Sequence, residues 1–205
     1  MKVSVYCVFM GALGLLSLRG NLPDYASGNM PVWSSTVTDP LPLTHGLYSK
    51  SLRYNAYTFT ISGADSGAVR DLTINAYRGS LLLTKFGVRV DGAVVGAEVA
   101  DLDNNRFPEL YVYSTSDGSG SFGRVHAWQF LPERKADIAL VNWSLSTDSG
   151  YMGHDSLWVE RGVLRRKYPL YRSGDSNSEP TGGTRMVRYQ LKPAGTKFTL
   201  VAQPD

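Results

Sequence analysis

The densest run of chemistry-bearing side chains is Asp101-Leu102-Asp103-Asn104-Asn105-Arg106-Phe107-Pro108-Glu109. Oxygen ligands at its first, third and fifth positions resemble the opening of a calcium loop. The sixth position of such a loop requires glycine for a sharp turn, and Arg106 stands there, a cation opposed to Ca²⁺. No helical pattern flanks the run. The expected structure is therefore a turn whose Asp and Asn side chains accept bonds from nearby backbone amides, with no metal. Asp101, Asp103 and Glu109 also have the chemistry of a glycosidase carboxylate pair, but nothing in the spacing fixes their separation or a cleft. His45, His126 and His154 are too far apart to form a spaced ligand set, and His126 alternates within a strand pattern.

A second chemical candidate is Ser119, within Ser116-Asp117-Gly118-Ser119-Gly120-Ser121-Phe122-Gly123. As a nucleophile it lacks the strand-to-helix elbow of the hydrolases and any specified His/Asp partners, so an enzyme is not expected. As a loop it is more informative. It separates two strand patterns, Pro108–Tyr113 and Arg124–Phe130, where a two-residue turn would serve. A longer Gly/Ser-rich connection costs conformational entropy, and loops held by a rigid sheet are where binding function usually sits. Asp175 to Arg185 is a second polar, glycine-bearing loop, with Thr184 and Arg185 as candidate contacts at its end. Gly182-Gly183 within it is no phosphate loop, because no Lys-Ser/Thr and no helix follow. Asn142-Trp143-Ser144 fits a glycosylation sequon, which carries weight only on a eukaryotic secretory route.

The elements that must position these loops read as β almost throughout. Arg53–Ile61 is rich in Tyr, Thr and Ile, and Asp71–Tyr77 alternates cleanly until Arg78-Gly79-Ser80. Leu81–Val90 and Ala93–Ala100 flank Asp91-Gly92, a dipeptide suited to a type I′ hairpin turn. Further strands are expected at 110–114, 124–130, 156–161, 163–168, 184–191 and 197–202, with Arg161-Gly162 and Ala194-Gly195 as turns. The best helix candidate is short, around Glu133 to Leu140. The expectation is a single all-β domain, an antiparallel β-sandwich or flattened barrel of about eight strands. No repeat of solenoid or propeller length is present.

The chain has 205 residues and a formal charge of +3, to which Lys2 and Arg19 both contribute. Without them the remainder is close to neutral and no Lys/Arg stripe interleaves with aromatics, so no nucleic-acid partner is expected. Met1-Lys2 followed by an apolar run to Leu18 has the layout of a secretory signal, shorter than the roughly 20 residues of a membrane span. Residues 1–28 are read as a signal peptide and 29–205 as the domain, periplasmic or secreted, with the membrane involved only through export. The one cysteine, Cys7, lies in that leader. A cleaved chain would then have no disulfide, thiol nucleophile or thiolate metal site, and no cofactor is expected.

Three segments together resemble the periplasmic inhibitors of invertebrate-type lysozyme (the PliI family). Ala100–Tyr113 is similar to the family's acidic turn running into a Tyr-rich strand. Ser119-Gly120-Ser121-Phe122 sits where the family carries Ser-Gly-x-Tyr. Gly153-His154-Asp155-Ser156, Tyr168-Pro169-Leu170-Tyr171 and Gly174–Arg185 are similar to its closing strands and loop. The resemblance covers roughly Ser51 to Leu191. It implies an antiparallel β fold, a lysozyme as protein partner and action without turnover, the loop entering the lysozyme groove to meet its catalytic carboxylates. Ser119 would be the carboxylate-facing donor and Gly120 the hinge. Phe122 departs from the pattern by lacking the Tyr hydroxyl. A hydrogen bond to a charged group is worth about 1.5–3 kcal/mol, so that loss corresponds to roughly ten- to a hundred-fold in affinity. The rival reading is a periplasmic carbohydrate-binding module, calcium-dependent through Asp101, Asp103 and Asn105, with Trp128, Trp143 or Trp158 stacking on sugar. A homodimer is left open.

Overall fold

The computed structural model describes residues 47–64, 67–141 and 149–203. The expected signal peptide, Cys7, His45 and the Asn142 sequon with Trp143 lie outside the described residues. What is described is all β: twelve strands in two sheets, more than the eight or so expected. The first sheet is a meander of β1 (Leu47–Tyr54), β2 (Tyr57–Ala64), β3 (Val69–Arg78) and β4 (Leu81–Asp91). The second has the order β5-β6-β7-β8-β12-β11-β10-β9. Its strands are β5 (Ala93–Ala100), β6 (Glu109–Thr115), β7 (Gly123–Phe130), β8 (Lys135–Val141), β9 (Ser156–Glu160), β10 (Val163–Pro169), β11 (Thr184–Ala194) and β12 (Lys197–Gln203). Two four-stranded meanders thus join edge to edge. The joining pair, β8 with β12, is parallel, the one exception among the described pairings to the antiparallel expectation.

The larger sheet curls around its own core. Tyr111 and Tyr113 of β6, Ala127, Ile138, Leu164, Tyr189, Leu191, Phe198 and Leu200 form one buried cluster drawn from six of its strands. At the seam between the end strands the Glu98 carboxylate of β5 accepts the Val159 N–H of β9 at 2.7 Å and the Tyr113 hydroxyl at 2.6 Å. A side chain there satisfies a backbone amide that strand pairing leaves open. The smaller sheet covers the outer face of β5–β7. Phe59, Ile61, Leu72 and Ile74 pack on Leu110, Val112, Trp128 and Phe130, with Phe59 and Phe130 ring centres 4.8 Å apart. Strand β6 is therefore buried on both faces, and alternate residues serve different cores.

Three sequence expectations fail for stated reasons. Arg53–Ile61 is two strands, because Asn55 takes φ 50 in a tight turn and pairs Tyr54 with Tyr57. Asn tolerates that left-handed conformation better than most residues. Asp91-Gly92 is not a hairpin: β4 pairs with β3 and β5 with β6, so the chain changes sheet there. Gly92, at φ 78, lies so close to the Thr115 carbonyl that no Cβ fits. The helix candidate at 133–140 is strand β8, whose Ala136 and Ile138 alternate into the barrel core. The turns at Arg161-Gly162 and Ala194-Gly195 do join neighbouring strands, β9 with β10 and β11 with β12.

Candidate functional site

The Ser119 loop leaves the sheet between β6 and β7, where Thr115 pairs with Gly123. Its neck is closed twice, by Ser116 N–H donating to the Phe122 carbonyl at 2.9 Å and Phe122 N–H donating to Ser116 Oγ at 3.0 Å. Inside the neck, Ser121 N–H donates to the Gly118 carbonyl at 3.3 Å, with Gly118 at φ 127 and Ser121 at φ 43. Two neighbouring segments brace the tip. Asn177 Nδ2 donates to the Ser119 carbonyl at 2.6 Å and His154 N–H donates to the Gly120 carbonyl at 2.6 Å. His154 Nε2 and Asn177 Oδ1, 3.1 Å apart, link the two braces to each other. Ser119 is exposed, and its hydroxyl has no partner among the described residues. Phe122 is 43% exposed beside the exposed Met152.

Gly120, the expected hinge, is closely packed. It lies outside the left-handed region, and a Cβ on it would strike the Phe122 ring and the Met152 carbonyl. It is glycine because three segments cross there. Gly153, at φ 94, is needed for the same reason: a Cβ would collide with the Gly120 carbonyl. Thr184 and Arg185 are exposed but belong to no loop. They begin β11, in register with Pro169 and Tyr168.

Beneath the loop sits a buried ion pair that sequence reasoning missed. Asp155 Oδ2 accepts the Gly123 N–H at 2.8 Å and the Tyr151 hydroxyl at 2.6 Å. Its Oδ1 accepts Arg166 Nε at 2.6 Å, with the two side chains 0% and 3% exposed. The guanidinium lies 4.9 Å from the Tyr151 ring centre and 4.7 Å from that of Tyr168, and it also donates to the Tyr151 hydroxyl. Burial opposes the Arg166 charge, yet the Asp155 bond and charge hold its pKa above the ordinary arginine value. Burial and the same carboxylate push Tyr151 up. The exposed Phe122 ring stands edge-on to Tyr151 at 5.7 Å, so the loop rests on this cluster. The signal was present in parity: Arg166 shares the inward face of β10 with Leu164 and Tyr168.

At the opposite end of β6, the acidic run forms the expected turn. Asp101 accepts Asn105 N–H at 3.0 Å and Arg106 N–H at 2.9 Å, and Asn105 Oδ1 accepts Phe107 N–H at 2.8 Å. Sequence reasoning missed the role of Glu109. It is fully buried, accepts Leu102 N–H at 2.8 Å, and meets Gln129 Nε2 at 3.1 Å. Burial, with the Asp103 and Asp101 charges adding, raises its pKa to about 9. His126, on the face covered by the smaller sheet, lies 3.3 Å from Ser114 Oγ.

Of the aromatic residues considered for sugar stacking, Trp128 is buried between the sheets and Trp158 is partly buried. A cleft of about 410 Å³ opens along the barrel seam, bordered by Lys50, Glu98, Thr115, Asp155 and Leu157. No protein-family model matches the chain, and no curated protein is similar to it.

Proposed function

We propose that this domain is an exported inhibitor of a lysozyme, of invertebrate type by resemblance, which plugs the enzyme's groove with the loop Ser119-Gly120-Ser121-Phe122. The observation that carries the reading is the pairing of an exposed tip with a fixed base. Ser119 and Phe122 face solvent, while Asn177 and His154 clamp the carbonyls of Ser119 and Gly120. A loop ordered before binding loses little entropy on docking, which is what a competitive plug requires. Lysozymes place two carboxyl groups around the scissile bond. A serine hydroxyl with no internal partner is a suitable donor to them, and a hydrogen bond to a charged group is stronger than a neutral one. Phe122 fills apolar space beside it but donates nothing. The expected preference is therefore for a groove whose wall opposite the ring is apolar.

The test is inhibition of lysozymes of the invertebrate, goose and chicken types by the purified domain and two variants. Ser119→Ala is expected to weaken inhibition of the sensitive enzyme by roughly ten- to a hundred-fold, the equivalent of one charge-assisted bond. Phe122→Tyr is expected to change the ranking among the three types. Full activity of all three enzymes at micromolar inhibitor, with no complex on co-elution, would overturn the proposal.

A further inference from the structure

The positive charge of the chain is concentrated in its last four strands. From residue 156 to 203 nine lysines and arginines stand against three acids, whereas the remaining residues carry twelve against fifteen. We propose that the outer face of β9, β10 and β11 is a docking surface for an anionic lipid bilayer. Leu164, Tyr189 and Leu191 point into the barrel core, so Arg165 and Lys167 of β10 and Arg188 and Lys192 of β11 point outward. Lys167, Arg188 and Lys192 are exposed, and none of them makes an ion pair among the described residues. Strand register sets Trp158, Arg165 and Arg188 in one row across three strands. Two arginines directly opposite on one face repel, a cost that an anionic partner would relieve. Glu160 offsets part of it, with Oε2 at 2.6 Å from Arg165 Nε, and it is the only acid in these three strands. Asp175 and Glu179 lie in the loop before β11, where Thr181 and the Arg172 amide bond the Asp175 carboxylate.

What lies between the cations favours lipid over a fully hydrated polyanion. Met186, 40% exposed, stands opposite Lys167, and Trp158 and Val163 are half-buried on the same face. Lysine and arginine lay their apolar stems along such residues while the charged heads stay in water. Cations around an apolar patch with tryptophan are the composition of protein surfaces that rest on membranes. A sheet face encloses no single ligand, whereas a planar array of phosphate head groups can meet several of these cations at once. The row is invisible in sequence order, because Arg165 and Arg188 meet only through the β10–β11 register. None of these residues belongs to the Ser119 loop, so the surface stands or falls apart from the inhibitor reading.

The experiment sediments the purified domain with vesicles of phosphatidylcholine alone or mixed with phosphatidylglycerol. It is run at low salt and at about 1 M salt, where the Debye length is about 3 Å. Binding is expected only to the anionic vesicles, and only at low salt. Each lysine or arginine near an anionic membrane is worth about fivefold in affinity. Lys167→Gln combined with Arg188→Gln is therefore expected to weaken binding by about twenty-five-fold. Lys85→Gln with Arg89→Gln removes the same charge from β4 of the other sheet and should leave binding nearly unchanged. Arg188→Gln also separates the two facing arginines, so its Tm should be no lower than that of the parent, which distinguishes lost binding from lost fold. No binding to anionic vesicles, equal binding to neutral ones, or an equal loss in the β4 variant would each overturn the proposal. So would tighter binding to a single-stranded oligonucleotide than to anionic vesicles, which would assign the face to nucleic acid.

Discussion

Asp155 has no solvent-exposed side chain, yet its contacts brace the base of the Ser119 loop. It holds the first amide of β7 at Gly123, orients Tyr151 and neutralises Arg166. Removing one member of a buried pair leaves the other charge uncompensated, which costs about 3–5 kcal/mol. Asp155→Ala is thus expected to lower unfolding free energy by that amount in urea titration. Replacing both partners, as in Asp155→Leu with Arg166→Met, should recover much of the loss. If the single variant is as stable as the parent, the pair does not anchor the loop. Ser119 could be picked out in the sequence because a glycine-rich run interrupts two alternating patterns. Its platform was hidden, because Asp155 and Arg166 read as ordinary surface charges until the chain brings β10 beneath the loop. Parity on β10 was the only local clue.

Strand β6 shows why most of the scaffold was legible and its sheet assignment was not. Alternation and turn residues mark where strands begin and end, since Gly and Asn at positive φ are local requirements. Which strands pair is a long-range matter, and Asp91-Gly92 is equally good chemistry for a hairpin and for a corner between sheets. Leu110 illustrates the consequence. It and Tyr111 are both fully buried, on opposite faces, one between the sheets and the other inside the barrel. Leu110→Ala removes methyl groups from the inter-sheet layer only. A cost of about 2–5 kcal/mol is expected, with an unchanged denaturant slope if both layers unfold together. Two separated transitions in the variant would show instead that the smaller sheet detaches from the barrel first.

Cooperation between the two sheets also sets how the whole domain responds to pH. His126 projects from β7 into the layer beneath the smaller sheet, and burial, with the nearby Arg124 charge adding, lowers its pKa, while Asp91 pulls the other way. In the unfolded chain the same imidazole titrates near 6.5. Between that value and the depressed folded one, the unfolded state binds more protons, so stability must fall as pH falls. Above about 6.5 both states are neutral and the contribution is complete. Glu109 works in the opposite sense, because its carboxyl stays protonated in the folded state up to about 9 and its contribution is lost as pH rises. The net pH slope therefore identifies neither group, whereas a difference between two proteins does. His126→Gln keeps a polar group near Ser114 and removes the titration. Unfolding free energies of parent and variant, measured in urea from pH 7.5 to about 5, should diverge as the solution becomes more acidic, the variant losing less. Parallel curves across that interval would mean that the histidine gains its proton without opening the space between the sheets.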